Sequence, residues 1–137
     1  QRAVEMAVGL GKTVFLTTGS HSLPLFRAAA EGRDCRLIAR VLPQPEVIAD
    51  CIANGFSPAD IIAAQGPFSQ ELNRELFRAY GADVMVTKNS GAIGGTDAKI
   101  AAAIELGLII VVVQRPAALQ QQVFESLPAL LEYLKRK

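Results

Sequence analysis

Short apolar runs and amphipathic stretches alternate along the chain, and glycine or proline marks nearly every boundary between them. Residues 2–10 carry apolar positions at helical spacing, and Gly11 breaks the pattern. Thr13 to Thr17 reads as a first strand, followed by Thr18-Gly19-Ser20-His21-Ser22. Ser22-Leu23-Pro24 has the form of a helix start, with Ser22 as the N-cap and proline in the first turn. That helix is expected to reach Ala30 and stop at Gly32. Cys35 to Leu42 predicts a second strand, ended by Pro43-Gln44-Pro45. Pro45 opens a helix with Val47, Ile48, Cys51 and Ile52 on one face, closed by Asn54-Gly55. Ser57-Pro58 marks a short turn before Ile61 to Ala64, the third strand. Ser69 is the expected cap of a helix whose inner face is Leu72, Leu76, Phe77 and Tyr80, with Gly81 ending it. Val84 begins the fourth strand, Ala98–Leu106 forms a helix with Ile100 and Ile104 inward, and Ile109 to Val113 is the fifth strand. A last helix starts at Ser126-Leu127-Pro128 and buries Leu127, Leu130, Leu131 and Leu134.

The predicted strands are continuous apolar runs rather than alternating ones, so both faces of their sheet must be covered and the sheet should be parallel. With right-handed crossovers, this predicts a single three-layer, Rossmann-like α/β sandwich of five parallel strands. The expected order is 3-2-1-4-5, with 2-1-3-4-5 as the alternative. In such a sheet, ligands gather at the carboxyl ends of the strands.

Composition narrows the function. In 137 residues, half of them hydrophobic, a real core can form; 14 basic and 13 acidic side chains leave a net charge of +1. No basic tract interleaved with aromatics is present, which argues against a nucleic-acid partner. Lys135-Arg136-Lys137 reads as a solvated helix end. No apolar run approaches the about 18–20 residues of a membrane span, and the segment around Glu5 does not read as a signal peptide. Cys35 and Cys51 sit in apolar patterns and are expected as buried free thiols rather than a metal set, in keeping with a reducing cytoplasm. The chain opens on Gln1 and is expected to be a piece of a longer protein.

The candidate chemistry gathers on the expected carboxyl rim. Val84 to Asp97 is its centre: an apolar run ends in Lys88, then Asn89, Ser90, Gly91, Gly94, Gly95 and Thr96 lead into a helix. Strand, glycine-bearing loop and helix present backbone N–H groups and a helix dipole to an anion. Thr18, Gly19 and Ser20 would form the opposite lip, and Gln65, Gly66, Pro67 and Ser69 a third segment. Arg40, near the end of the second strand, suits a ribose 2′-phosphate or a structural salt bridge, and Arg115 divides the same way. Asp97 reads as a residue that compensates the helix dipole. His21, the single histidine, is an incidental loop residue or at most a general acid. Neither the G-x-G-x-x-G fingerprint nor the Walker lysine pattern is present, so the motifs by themselves stop at an anion or nucleotide site.

Several segments together resemble one family. Arg40-Val41-Leu42-Pro43, Ala64-Gln65-Gly66-Pro67-Phe68-Ser69 with Glu71-Leu72-Asn73, Tyr80-Gly81-Ala82-Asp83, and Thr87-Lys88-Asn89-Ser90-Gly91 with Gly94-Gly95-Thr96 and Lys99 follow the order and spacing of the C-terminal half of the precorrin-6A (precorrin-6x) reductases. The cobalt-precorrin enzymes are included in that resemblance, which runs from about Thr13 to Pro116. It implies reduction of one macrocycle double bond of precorrin-6A, giving precorrin-6B in cobalamin biosynthesis, with NADPH as reductant and NADH as the alternative. It further implies a tetrapyrrole substrate, an absent N-terminal half and a cleft between two Rossmann-like halves. Under this reading Thr18, Gly19, Ser20, Arg40, Lys88, Ser90, Gly91, Gly94, Gly95 and Thr96 would hold the cofactor. Gln65, Gly66, Pro67, Ser69 and Arg115 would meet the substrate, and no metal is needed. Two other readings stand beside it: a nucleotide- or anion-binding module without chemistry of its own, and a structural or oligomerising domain.

Overall fold

The computed structural model of the chain describes residues 2–88, 97–113 and 121–124. Six strands form one sheet in the order β3-β2-β1-β4-β5-β6. These are β1 (Thr13–Leu16), β2 (Arg36–Val41), β3 (Ile61–Ala63), β4 (Val84–Lys88), β5 (Ile109–Val113) and β6 (Gln121–Phe124). The first five run parallel in the order 3-2-1-4-5, which excludes the alternative. Beyond the five expected strands, β6 pairs antiparallel with β5, Gln121 opposite Val113 and Phe124 opposite Ile110. The predicted last helix lies outside the described residues.

Alternation along the central strands divides the core in two. Val14, Leu16, Leu37, Ala39, Val84 and Val86 point to one face, against α1 (Arg2–Leu10), α2 (Leu23–Ala30) and α3 (Pro45–Ala53). Phe15, Ile38, Met85, Ile110 and Val112 point to the other, against α4 (Gln70–Ala79) and α5 (Ala98–Leu106). The Phe15 and Phe77 rings meet edge to face at 4.8 Å between centroids and 75° between planes, which adds directional packing to simple burial. Between the two helical layers the central strands β1 and β4 are buried on both faces from Val14 to Leu16 and from Val84 to Thr87, which explains their apolar runs.

Local chemistry sets the boundaries, and some expectations are corrected. Each of the first three strands is one residue shorter than expected at its carboxyl end, stopping at Leu16, Val41 and Ala63, and β2 also begins one residue later, at Arg36. Ser57 accepts from the Ala59 amide and opens a one-turn 3-10 helix, Pro58–Asp60. Ser69 caps α4 as expected, its Oγ accepting from Leu72 N at 3.0 Å. Ser22 does not cap α2, because its own backbone is near-helical and its hydroxyl is paired with Thr18. On α4 the inner face includes Asn73 and not Leu72, which is 45% exposed. Ile52 of α3 likewise faces solvent at 50% exposure, and Cys51 is buried. Cys35 is only half-buried; both cysteines are free thiols whose burial pushes their pKa up.

At the amino edge, Asp83 closes the sheet. Its Oδ2 accepts from Lys12 N at 3.0 Å and Thr13 N at 3.1 Å. Gly11 permits the approach: a Cβ there would sit 2.7 Å from the Asp83 Cβ. Asp83→Ala should therefore cost about 1–2 kcal/mol, the loss of two backbone hydrogen bonds to a carboxylate in a largely solvated setting, measured by urea unfolding. Phe77→Ala should cost about 3–5 kcal/mol in the same measurement, because it empties the centre of the α4–α5 core.

Candidate functional site: the carboxyl rim

The carboxyl ends of the parallel strands bring together the segments around Thr18, Arg40, Gln65 and Lys88. β1 is carried one residue further by Thr17, whose N–H donates to Val86 O at 3.0 Å and whose Oγ1 donates to the same carbonyl at 2.7 Å. The chain then turns through Gly19 at φ 85°, a left-handed conformation that glycine takes without strain. Thr18 is buried, its Oγ1 2.6 Å from Ser22 Oγ, so this hydroxyl is spent on holding the turn. Ser20 accepts from Leu23 N through its carbonyl, and His21 is exposed. Gln65, Gly66 and Pro67 are exposed, while the Ser69 hydroxyl is committed to the α4 cap. Lys88 ends β4 as an exposed side chain, in register with Val113. Ser90, Gly91, Gly94, Gly95, Thr96 and Arg115 lie outside the described residues.

Among the described residues of the rim, Arg40 is the most constrained charge. Its place in β2 directs it to the α4–α5 face, where its guanidinium lies 4.2 Å from the Phe68 ring centroid and 5.7 Å from that of Phe15. Nη1 donates to Asn73 Oδ1 at 2.7 Å. Burial pushes its pKa down to about 10, while the Asp97 carboxylate acts in the opposite direction. The group therefore stays charged at neutral pH. Among the described residues it makes no ion pair and no second hydrogen bond. Among the described residues, two aromatic rings and a neutral amide hold it rather than a salt bridge.

At α5 the expected anion-binding helix start is already occupied. Asp97 is its N-cap, with Oδ1 accepting from Lys99 N at 3.0 Å and Ile100 N at 3.3 Å, and Oδ2 3.4 Å from Lys99 Nζ. The carboxylate satisfies the helix amides and compensates the dipole, as its position suggested. An anion at this point would have to compete with it. Beside the start of the glycine-bearing loop, Thr87 is 1% exposed and its Oγ1 finds no partner among the described residues.

Asn73, Phe68 and Thr87 were not assigned as site residues from the sequence. Asn73 occupies a helix position at which apolar spacing selects Leu72 and Leu76. The signal that could have found it is the pairing of a polar residue on the buried face with Arg40, a charge set between apolar neighbours inside β2. Among the described residues no group of three or more His, Cys, Asp or Glu side chains could hold a metal ion, and no helix is long and apolar enough to cross a membrane.

Comparison with known proteins adds what the geometry leaves open. The profile of the precorrin-6x reductase CbiJ/CobK family matches residues 1–135. The chain is similar to the cobalt-precorrin-6A reductase of Priestia megaterium, 43% identical over 117 residues, covering 85% of this chain and 46% of that protein. It is 39% identical to the cobalt-precorrin-6A reductase of Salmonella typhimurium, covering 98% of this chain and 51% of that one. A solved structure of CobK precorrin-6A reductase superposes with a TM-score of 0.62 at 28% identity, over 96% of this chain and 52% of the other. The chain thus spans about half the length of the relatives it matches. On the match across nearly all of its residues, the chain belongs to the precorrin-6x reductase family.

Proposed function

We propose that this chain forms the anion-holding half of a reductase that converts precorrin-6A to precorrin-6B in corrin-ring biosynthesis, working in the cytoplasm with an N-terminal half that completes the cleft. Family membership supports the reaction. The observation that ties it to this surface is the Arg40 guanidinium, kept charged in a half-buried site at the carboxyl rim and bonded to a neutral amide. Buried charges are ordinarily paired. One whose remaining N–H groups are uncommitted among the described residues is suited to donate to the oxygens of a phosphate or a carboxylate.

The residues fit a nicotinamide dinucleotide, with NADPH favoured over NADH. Lys88 and Arg40 supply positive charge, and the Thr18–Ser20 turn exposes Gly19. Ser90, Gly91, Gly94, Gly95 and Thr96 complete the proposed cofactor set by sequence. Gln65, Gly66, Pro67, Ser69 and Arg115 form the proposed substrate side, against a tetrapyrrole that carries several carboxylates. Ser69 would act there through its backbone, since its hydroxyl caps α4. When bound, the nicotinamide supplies a hydride. The protein's part is to orient it against the ring and exclude water, so no covalent nucleophile is required. A second reading, a binding module that holds its ligand without turnover alone, is favoured by the chain's spanning only half of its relatives' length. Turnover of precorrin-6A by the chain alone would reject it.

Calorimetric titration of NADPH and then NADH into the chain tests the assignment. Tighter binding of NADPH is expected, weakened on the order of tenfold by Lys88→Ala, as for the loss of one charge-assisted hydrogen bond. Absence of binding by both nucleotides would remove the cofactor from this rim. Thr87→Val should leave the free energy of unfolding unchanged or raise it by up to about 1 kcal/mol, because it deletes a buried hydroxyl without a partner. A clear loss of stability in denaturant unfolding would show that the hydroxyl is used within the fold.

A further inference from the structure

We infer that Asn73 is a positioning residue, whose carboxamide fixes the Arg40 guanidinium and the loop at residues 65–69 as one preorganised oxyanion-receiving unit. The inference rests on reading the carboxyl rim as an anion site.

Asn73 lies in the first turns of α4 and is 1% exposed, so it does not itself meet a ligand. Its Nδ2 donates to Ser69 O at 2.8 Å and to Phe68 O at 3.3 Å, and its Oδ1 accepts from Arg40 Nη1 at 2.7 Å. The three partners fix which way the amide faces: two carbonyls require its donors and the guanidinium requires its acceptor. Helix, loop and strand β2 are thereby joined through one side chain. Phe68, carried by the same loop, lies over the guanidinium it helps to confine. Plane and edge of Arg40 are set before any ligand arrives, so the entropy of ordering a long side chain is not charged against binding.

An amide suits this place better than a carboxylate would. Aspartate would turn both bonds to the loop carbonyls into repulsions and would neutralise Arg40, whereas asparagine orients the charge without cancelling it. The oxyanion so received is a phosphate of the dinucleotide or a carboxylate of the tetrapyrrole.

The test compares Asn73→Leu, Arg40→Met, the double variant and Asn73→Asp with the unsubstituted chain. Amide hydrogen exchange over residues 64–69 is expected to quicken on the order of tenfold in Asn73→Leu and in Arg40→Met, as for one charge-assisted hydrogen bond. Exchange in β1 and β4 should not change, and the double variant should add nothing. Titrations use NADPH and, as a polycarboxylate tetrapyrrole, uroporphyrin; whichever binds identifies the oxyanion's source. Its affinity should fall by a similar factor in both single variants. It should fall at least as far in Asn73→Asp, which keeps the bond to Arg40 but loses both loop bonds and offsets the charge of the guanidinium. Unchanged loop exchange in both single variants, multiplying effects in the double, or normal affinity in Asn73→Asp would overturn the inference. If neither probe binds the unsubstituted chain, the rim reading fails, and loop exchange alone decides whether Asn73 holds the unit together.

Discussion

A parallel sheet covered on both faces leaves its strands no room for polar chemistry. In β1 and β4 consecutive side chains go alternately into the α1–α3 core and the α4–α5 core, and Val14, Phe15, Leu16, Val84, Met85 and Val86 are all buried. Toward the carboxyl side of these two strands, polar side chains enter only where the strands run out. Thr17, Thr18, Thr87 and Lys88 mark that point on the central strands, and Arg40 reaches it one residue before the end of β2. The polar carboxyl rim is thus a product of covering the sheet, because the interior excludes its side chains.

The opposite edge is built for closure. Asp83 ties the entry of β1 to the entry of β4 by accepting two backbone hydrogen bonds, and its own backbone N–H and carbonyl join Thr13 and Ile109. Anchoring at this end fixes the register of the central strands, in which Leu16 at the end of β1 lies opposite Val86 and Ala39, so β4 and β2 each reach two residues further. The rim side chains are then carried by elements that cannot slide past one another, the rigidity a preorganised site needs.

The parallel core was legible in the sequence because short, mainly apolar runs between glycines and prolines have few other solutions. β6 was not legible: Gln121-Gln122-Val123-Phe124 has neither the length nor the composition of a buried strand, and an antiparallel edge needs no such run. Helix faces were legible only for their apolar members. Spacing marks Leu72 as inward, yet the position is exposed because Asn73 takes the place facing β2, and hydrophobicity cannot register an amide buried to serve a charge. Ser22 failed as a cap for a similar reason. Its hydroxyl had a tertiary partner in Thr18, a competitor invisible to local rules. Candidate charges were found from sequence, and the neutral groups that hold them were not.

The β3 margin carries one more consequence. With three residues, Ile61–Ala63, this strand offers a foreign chain very little unpaired backbone, and its approach is guarded by the Arg36–Asp60 ion pair at 2.7 Å. A long, flat margin would serve as a template for edge-to-edge polymerisation. Here a chain added in register would gain few hydrogen bonds, so the truncated strand protects a protein rich in apolar β-runs from assembling with itself through that side.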